Sequence, residues 1–299
     1  MLSYFPTIGV IDLAGYAVPT VIITNILGTA ALFFVAIKEG KRLELSLDKT
    51  LLVFLVFYIM SSFLSRALFI FSRAFLHQDL ERQNVILYFF STQRVFFGVL
   101  IAVFVAIPIG AYLKKFMGDV RKYYDVFFLG LAACMIITRL GDALAHYHPG
   151  KVASVFWGIQ VAGAYRHEPS LYEFISLILL FLLAWNLRRK IKTPGLLALI
   201  IVAWMSLSRV ITDFFRARDL PFFSQEGGSA FNSSNYYFES GLTLNQLAYF
   251  LIFLAASGTL LYLFFKKREI FFWSPEISLS SRSNVETPGV ELKGGHEKE

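Results

Sequence analysis

Long apolar runs separated by short polar connectors dominate the pattern of this chain. A bilayer core of about 30 Å takes roughly 20 mostly apolar residues per helix, and runs approaching that length recur near 17–37, 51–75, 95–113, 124–142, 171–187, 194–215 and 244–265. Lipid offers the backbone no hydrogen-bond partners, so each run is predicted to be a helix. The pattern therefore predicts an all-α, polytopic membrane protein with about seven transmembrane helices. Pro108 inside the third run removes a helix hydrogen bond and is expected to kink it. Between the fourth and fifth runs, 143–170 carries Tyr147, Trp157 and Tyr165, which favour headgroup depth and predict a short interfacial element. Segment 219–242, with Gly227, Gly228 and Asn232 to Asn235, reads as a lid. From Ser274 onward the chain turns polar, so 1–273 is expected to be the membrane domain and 274–299 a disordered cytoplasmic tail. No internal repeat is visible, which withholds support from an inverted-repeat transporter.

Composition agrees with the pattern. The 299 residues are 56% hydrophobic and 16% charged, with a mean hydropathy of +0.59, against about 25% charged residues in ordinary soluble domains. A net charge of +7 raises the question of nucleic acid. The Lys and Arg clusters lie between apolar runs instead of along one face, so they report membrane orientation and no nucleic-acid partner is expected. One cysteine, Cys134, excludes a disulfide framework and a multi-cysteine metal site. It sits deep in an apolar run and reads as a packed thiol. No basic residue precedes the first apolar run, so no cleaved signal peptide is expected, and nothing calls for a metal or cofactor.

The short connectors set the orientation. Lys38, Lys41, Arg42 and Lys49 follow the first run, Lys114, Lys115, Arg121 and Lys122 the third, Arg188, Arg189, Lys190 and Lys192 the fifth, and Lys266, Lys267 and Arg268 the seventh. The alternate connectors hold fewer, among them Arg82, Arg94, Lys151 and Arg166. The expected N-terminus is outside and the C-terminus inside.

That topology gathers ionisable residues at the outer ends of several helices, where such groups are costly unless they pair or meet a ligand. Arg209, Asp213 and Arg216 are four and three residues apart, hence on one helical face and within reach of each other. Arg139 and Asp142 stand at the outer end of the fourth run, His167, Tyr172 and Glu173 at the start of the fifth. Arg66 and Arg73 share a face of the second run with Ser62 and Ser65 nearby. Several arginines at headgroup depth repel unless an anion sits among them, and a lipid phosphate matches their planar, paired donors. The carboxylates are expected to orient the guanidinium groups. The bland alternative is that each arginine reaches independently for headgroups. His146 and His148, beside Tyr147 and Pro149, read as headgroup-level loop residues instead of metal ligands.

These residues resemble the bacterial prolipoprotein diacylglyceryl transferases across roughly 17–268. TRLGDALAHYHPG, from Thr138 to Gly150, is similar to that family's Gly-Arg-x-Gly-Asn-Phe-x-Asn-x-Glu-x-x-Gly signature, with Arg139, Gly141 and Gly150 matching and Asp142, Ala145 and Tyr147 departing. Asp125 and Arg139 keep the family's separation of an Asp and the signature Arg. RHEPSLYE, from Arg166 to Glu173, resembles RHPSQLYE; SRVITDFFR resembles FRIIxEFFR, placing Arg209, Asp213 and Arg216 on charged family positions. TLNQ, from Thr243 to Gln246, resembles the opening of the family's last helix, and Arg66 falls near a family arginine. The family's third-helix histidine is replaced near Phe96, and Val21 stands near a family tyrosine.

The resemblance implies a seven-helix inner-membrane enzyme whose site faces the outer leaflet. It implies transfer of a diacylglyceryl group from phosphatidylglycerol to the lipobox cysteine of a preprolipoprotein signal peptide, with release of glycerol phosphate. The partners are then phosphatidylglycerol, the preprolipoprotein and membrane lipids. Arg139 and Arg209 are the expected phosphate clamps, and His167 is the nearest substitute base. Glu173, Asp213, Asp142, Gly141 and Arg216 are expected around the substrate, with Arg66 a secondary headgroup contact. The alternative is a relative that binds phospholipid with impaired or altered chemistry. A transporter predicts a polar path to the inner side, where the first, fifth and seventh runs are almost uniformly apolar.

Overall fold

The computed structural model describes residues 8–13, 15–72, 96–113, 115, 120–161, 163–217, 222–223, 229–230 and 244–266. The expected tail at 274–299, Arg73, Arg82, Arg94, Arg218 and Thr243 lie outside the described residues, as does segment 219–242 apart from one pair of two-residue strands.

Seven helices carry the described chain: α1 (Thr20–Arg42), α2 (Leu47–Ser72), α3 (Phe96–Leu113), α4 (Val120–Leu144), α5 (Pro169–Leu187), α6 (Leu196–Asp213) and α7 (Leu244–Lys266). Six are long and apolar enough to cross a membrane, and α3 holds a shorter apolar stretch, Gly98–Leu113. The all-α, polytopic expectation holds, with boundaries shifted by a few residues. Pro108 does not end α3, which continues to Leu113.

The sequence pattern missed three short antiparallel hairpins: β1 (Val10–Leu13) with β2 (Tyr16–Pro19), β3 (Ile159–Val161) with β4 (Ala164–Arg166), and β5 (Phe222–Phe223) with β6 (Ser229–Ala230). The β3–β4 pair occupies the expected interfacial element, where Phe156 and Trp157 are exposed. Gly163, at φ +76°, makes its turn, a backbone region that a Cβ disfavours.

Helix α4 is the hub and packs against α1, α3, α5 and α6. Phe127, Phe128 and Leu129 on α4, Leu180 on α5 and Ile201 on α6 are fully buried around it. Membrane helices gain little from hiding apolar surface from lipid, so close packing holds them, and small residues permit it. A Cβ on Gly130 would lie 2.9 Å from the Leu32 carbonyl oxygen of α1, and one on Gly141 only 1.9 Å from Thr24 Oγ1. The outer faces stay apolar and exposed, as at Ile26 and Phe34 of α1 and Leu254 and Phe265 of α7.

Two polar devices fix the bundle at the end opposite Arg139. Asp125 of α4 accepts hydrogen bonds from the backbone N–H groups of Gly195 (2.7 Å) and Ala198 (2.8 Å), which caps the start of α6. Glu39 of α1, 2% exposed, holds Arg42 Nε at 2.8 Å and Arg188 Nε at 3.2 Å. Arg188 in turn lies 3.2 Å from the ring centre of Trp185.

Candidate functional site

The antiparallel course of α4, α5 and α6 brings the last turns of α4 and α6 beside the first two turns of α5. Arg139 and Asp142 come from α4, Glu173 from α5, and Arg209, Thr212 and Asp213 from α6, with Arg216 just beyond it. Glu173 is the centre. Its Oε2 lies 2.7 Å from Arg139 Nε. Its Oε1 accepts from Arg209 Nη1, from Thr212 Oγ1 at 3.2 Å and from Arg216 Nη2 at 3.4 Å. Arg139 Nη1 donates to Asp142 Oδ2 at 2.6 Å, and Arg216 Nε lies 3.2 Å from Asp213 Oδ1. Arg139, Asp142, Glu173, Asp213 and Arg216 are all buried.

Three guanidinium groups thus face three carboxylates, Glu173, Asp142 and Asp213. The mutual repulsion expected of the arginines is already balanced by protein carboxylates, so an anion is an addition to this cluster and not its precondition. The pairing follows the helical spacing only in part. Arg209 pairs with Glu173 across two helices, while Asp213 pairs with Arg216.

Arg139, Glu173 and Arg209 line a cavity of about 20 Å³ together with Met135, Leu177, Met205 and Ser208. That space suits about one water molecule and is too small for a phosphate. Arg209 Nε is buried without a hydrogen-bond partner among the described residues, which leaves donor capacity at the cluster. A cavity of about 360 Å³ adjoins it through Ser208, lined also by Trp157, His167, Tyr172, Ile211 and Phe215. In it the Tyr172 hydroxyl accepts from Trp157 Nε1 at 2.8 Å and lies 2.7 Å from His167 Nδ1. From α7, Tyr249 lies within electrostatic range of Arg209 and Arg139.

The connection after α4 is pinned to the segment after α6 and to the approach to α5. Gly150 N–H donates to the His167 carbonyl at 2.8 Å, Lys151 N–H to the Phe215 carbonyl at 2.8 Å, and Ala217 N–H to the Pro149 carbonyl at 3.3 Å. Gly150 is required here, because a Cβ would lie 2.5 Å from the Phe215 carbonyl oxygen and 2.7 Å from His167 Cβ. Arg166 is buried and donates through Nη1 to the Gly150 carbonyl at 3.2 Å. His146 Nδ1 lies 3.1 Å from Glu168 Oε2, and burial raises the Glu168 carboxyl above its ordinary range.

Most of the sequence-derived candidates meet here. Arg139, Asp142, Glu173, Arg209, Asp213 and Arg216 form one cluster, and His167 stands in the adjoining cavity. Arg66 does not join them. Its Nη1 donates to Ser62 Oγ at 2.8 Å on its own helix, and it makes no ion pair with the cluster among the described residues. Gly141 lies against Thr24 of α1, which gives it a packing role. The residue that the pattern underrated is His148. Its imidazole interacts electrostatically with Arg216, Arg139, Arg209 and Glu173 and packs edge-on to Tyr147 at 4.9 Å. Its place two positions before Gly150, in the run that carries Arg139, was the available signal.

A helical membrane bundle with a buried, charge-balanced arginine and carboxylate centre at one end defines the class: a polytopic membrane protein built around a buried polar site. The chain belongs to the prolipoprotein diacylglyceryl transferase family, whose model matches residues 7–262. It is similar to the phosphatidylglycerol–prolipoprotein diacylglyceryl transferase of Campylobacter jejuni strain RM1221, 28% identical over 160 residues, covering 53% of this chain and 54% of that protein. The protein of the same name from Aliarcobacter butzleri is 34% identical over 133 residues, 43% of this chain and 46% of the relative. That from Wolinella succinogenes is 33% identical over 113 residues, 38% and 37% respectively. The chain spans about half the length of the curated relatives it matches.

Proposed function

We propose that this protein transfers a diacylglyceryl group from phosphatidylglycerol to the thiol of a lipobox cysteine in a preprolipoprotein signal peptide. The observation that carries the reading is the convergence of Arg139 and Arg209, from two helices, on Glu173 of a third. Membership of the family and the names of its relatives support these substrates. In the proposed reaction the thiol sulfur attacks C3 of the lipid glycerol, the C3–O bond breaks, and glycerol phosphate departs. Arg139 and Arg209 bind the phosphate and neutralise the charge that grows on it, which lowers the barrier because these donors are already placed. Glu173, Asp142 and Asp213 hold the guanidinium groups in position, and Arg216 completes the cluster. The cavity shared by His167 and Tyr172 receives the reacting peptide and lipid glycerol. We assign Arg66, apart from the clamp, to a lipid headgroup.

The basic connectors support an N-terminus outside and a C-terminus inside, in a bacterial inner membrane. The arginine cluster, at the opposite ends of α4, α5 and α6 from Arg188 and Asp125, then faces the outer leaflet. Phospholipid binding without transfer is the second reading, favoured by Phe96 at the start of α3, where the resemblance places a histidine.

The test is transfer by the purified protein, in phosphatidylglycerol vesicles, to a synthetic lipobox peptide. A mass gain of one diacylglyceryl group on the cysteine is expected. No gain, with Arg139→Ala still abolishing phosphatidylglycerol binding, selects the second reading.

A further inference from the structure

Most of the polar groups that line the larger cavity are already committed. Trp157 Nε1 donates to the Tyr172 hydroxyl at 2.8 Å, Ser176 Oγ accepts from Trp204 Nε1 at 3.0 Å, and Thr212 Oγ1 donates to Glu173 Oε1 at 3.2 Å. His167 is committed on one side only. Its Nδ1 lies 2.7 Å from the Tyr172 hydroxyl, and its Nε2 makes no hydrogen bond among the described residues. The ring packs edge-on to Tyr172 at 5.8 Å and to Phe215 at 5.1 Å, both of them walls of the same cavity.

The direction of the His167 hydrogen bond follows from its neighbours. An indole N–H can only donate, so the Tyr172 oxygen accepts from Trp157. The Glu168 backbone N–H is a second donor to that oxygen. With both lone pairs engaged, the hydroxyl hydrogen turns to His167 Nδ1. A neutral imidazole whose Nδ1 accepts carries its own hydrogen on Nε2. Burial first, and the charge of Lys151 second, lower the affinity of His167 for a proton, which keeps it neutral at pH 7.

We propose that His167 is a specificity-determining residue whose Nε2–H donates to an acyl-ester carbonyl of the bound phospholipid, with Trp157 and Tyr172 fixing the tautomer that makes it a donor. The assignment rests on the reading that the lipid glycerol enters this cavity. The phosphate belongs to the arginines, because a neutral donor adds little beside charged, paired ones. The ester carbonyls are the acceptors on the two glycerol carbons that do not bear the phosphate, and Ile211 and Phe215 give the cavity an apolar wall suited to the start of the acyl chains. A site built to hydrogen-bond one group disfavours an analogue that lacks it, so an ether-linked lipid is selected against. The same tautomer removes His167 from the role of base that the sequence suggests. Its Nε2 already holds a hydrogen, and the Nδ1 lone pair is engaged by Tyr172.

The experiment titrates the full chain, in detergent micelles, with phosphatidylglycerol and with its diether analogue of the same headgroup and chain length. The parent is expected to bind the diester about three- to tenfold more tightly, the scale of one neutral hydrogen bond. His167→Phe keeps an aromatic ring and has no donor. It is expected to bind the diester as weakly as the diether, with affinity for the diether unchanged. A residue that only shaped the cavity would weaken both lipids equally, and that result, or a variant that keeps the ester preference, overturns the assignment. Phosphatidylethanol keeps the esters and lacks the headgroup hydroxyls, so it should show the same loss in the variant. Loss confined to the two glycerol-headed lipids moves the hydrogen bond to the headgroup and overturns the ester assignment. Should His167→Phe not fold, ¹⁵N spectra of the parent's His167 imidazole decide. A hydrogen on Nε2, and a shift of that nitrogen with the diester that the diether does not produce, are expected; a hydrogen on Nδ1 refutes the chain. Binding of no lipid at all removes the lipid reading of the cavity, whereas binding by the parent without ester preference removes His167 alone.

Discussion

Glu173 of α5 and Arg209 of α6, 36 positions apart in sequence, form an ion pair at the point where Arg139 reaches the same carboxylate from α4. One side chain therefore ties three helices together by charge. Glu173→Gln keeps the shape and removes the counter-charge of Arg139, Arg209 and Arg216. Buried pairs broken from one side cost about 3–5 kcal/mol, and a loss of that order is expected in the thermal or denaturant unfolding of the purified protein. A change below about 1 kcal/mol would mean that water or lipid already compensates the arginines.

Charge alone does not describe the clamp. Arg139→Lys preserves the positive charge and loses the planar fork that pairs with carboxylate and phosphate oxygens. Transfer in the vesicle assay is expected to fall about 10²-fold or more, the scale of losing a preplaced donor to a developing anion. Arg209→Ala is expected to do at least as much. Undiminished transfer by the Arg209 variant would place the phosphate elsewhere.

The pH dependence follows from His148. Its folded-state imidazole binds protons less readily than in the unfolded chain, so between the folded pKa and an unfolded value near 6.5 the unfolded state holds more protons. Its contribution to stability is whole above about 6.5 and is lost as pH falls below that value toward the folded pKa. Unfolding midpoints recorded from pH 7.5 to pH 5 should decline for the parent and decline less for His148→Gln. An equal decline in both proteins would remove His148 as its source.

Gly141 gives a test that separates packing from binding. The Cβ of Gly141→Ala would meet Thr24 Oγ1 at 1.9 Å and Thr24 Cβ at 2.6 Å. Forced overpacking costs about 1–3 kcal/mol, and Thr24→Gly in the same chain should return most of it, less about 1 kcal/mol for a helical glycine. Recovery of stability and transfer together marks a packing role. Recovery of stability without transfer returns Gly141 to the substrate site.

The helices were legible because lipid enforces one solution for an apolar run of this length, and the periodic basic connectors mark where each run stops. The site was legible in part. Arg209, Asp213 and Arg216 share a face by spacing, but spacing within a helix cannot show that Glu173 would displace Asp213 as the partner of Arg209, since that depends on how α5 crosses α6. Asp125 carried a family likeness, and its task as the cap of α6 needed Gly195 and Ala198, some 70 positions away. The hairpins were hidden because β3 and β4 are three residues each, too short to show alternation. Glu39 and Arg188 sit at run boundaries, where pattern alone reads any charge as solvated.

The carboxylate at the middle of the cluster is also an internal competitor. A phosphate reaching Arg139 and Arg209 must take donors that Glu173 already holds, in a cavity with room for about one water molecule. On the proposed chemistry this caps affinity for substrate and product alike. A membrane supplies phosphatidylglycerol at high local density, so weak capture of the substrate costs little. Glycerol phosphate has no acyl chains to keep it there, and the returning carboxylate speeds its departure, so turnover gains from the hold that binding gives up.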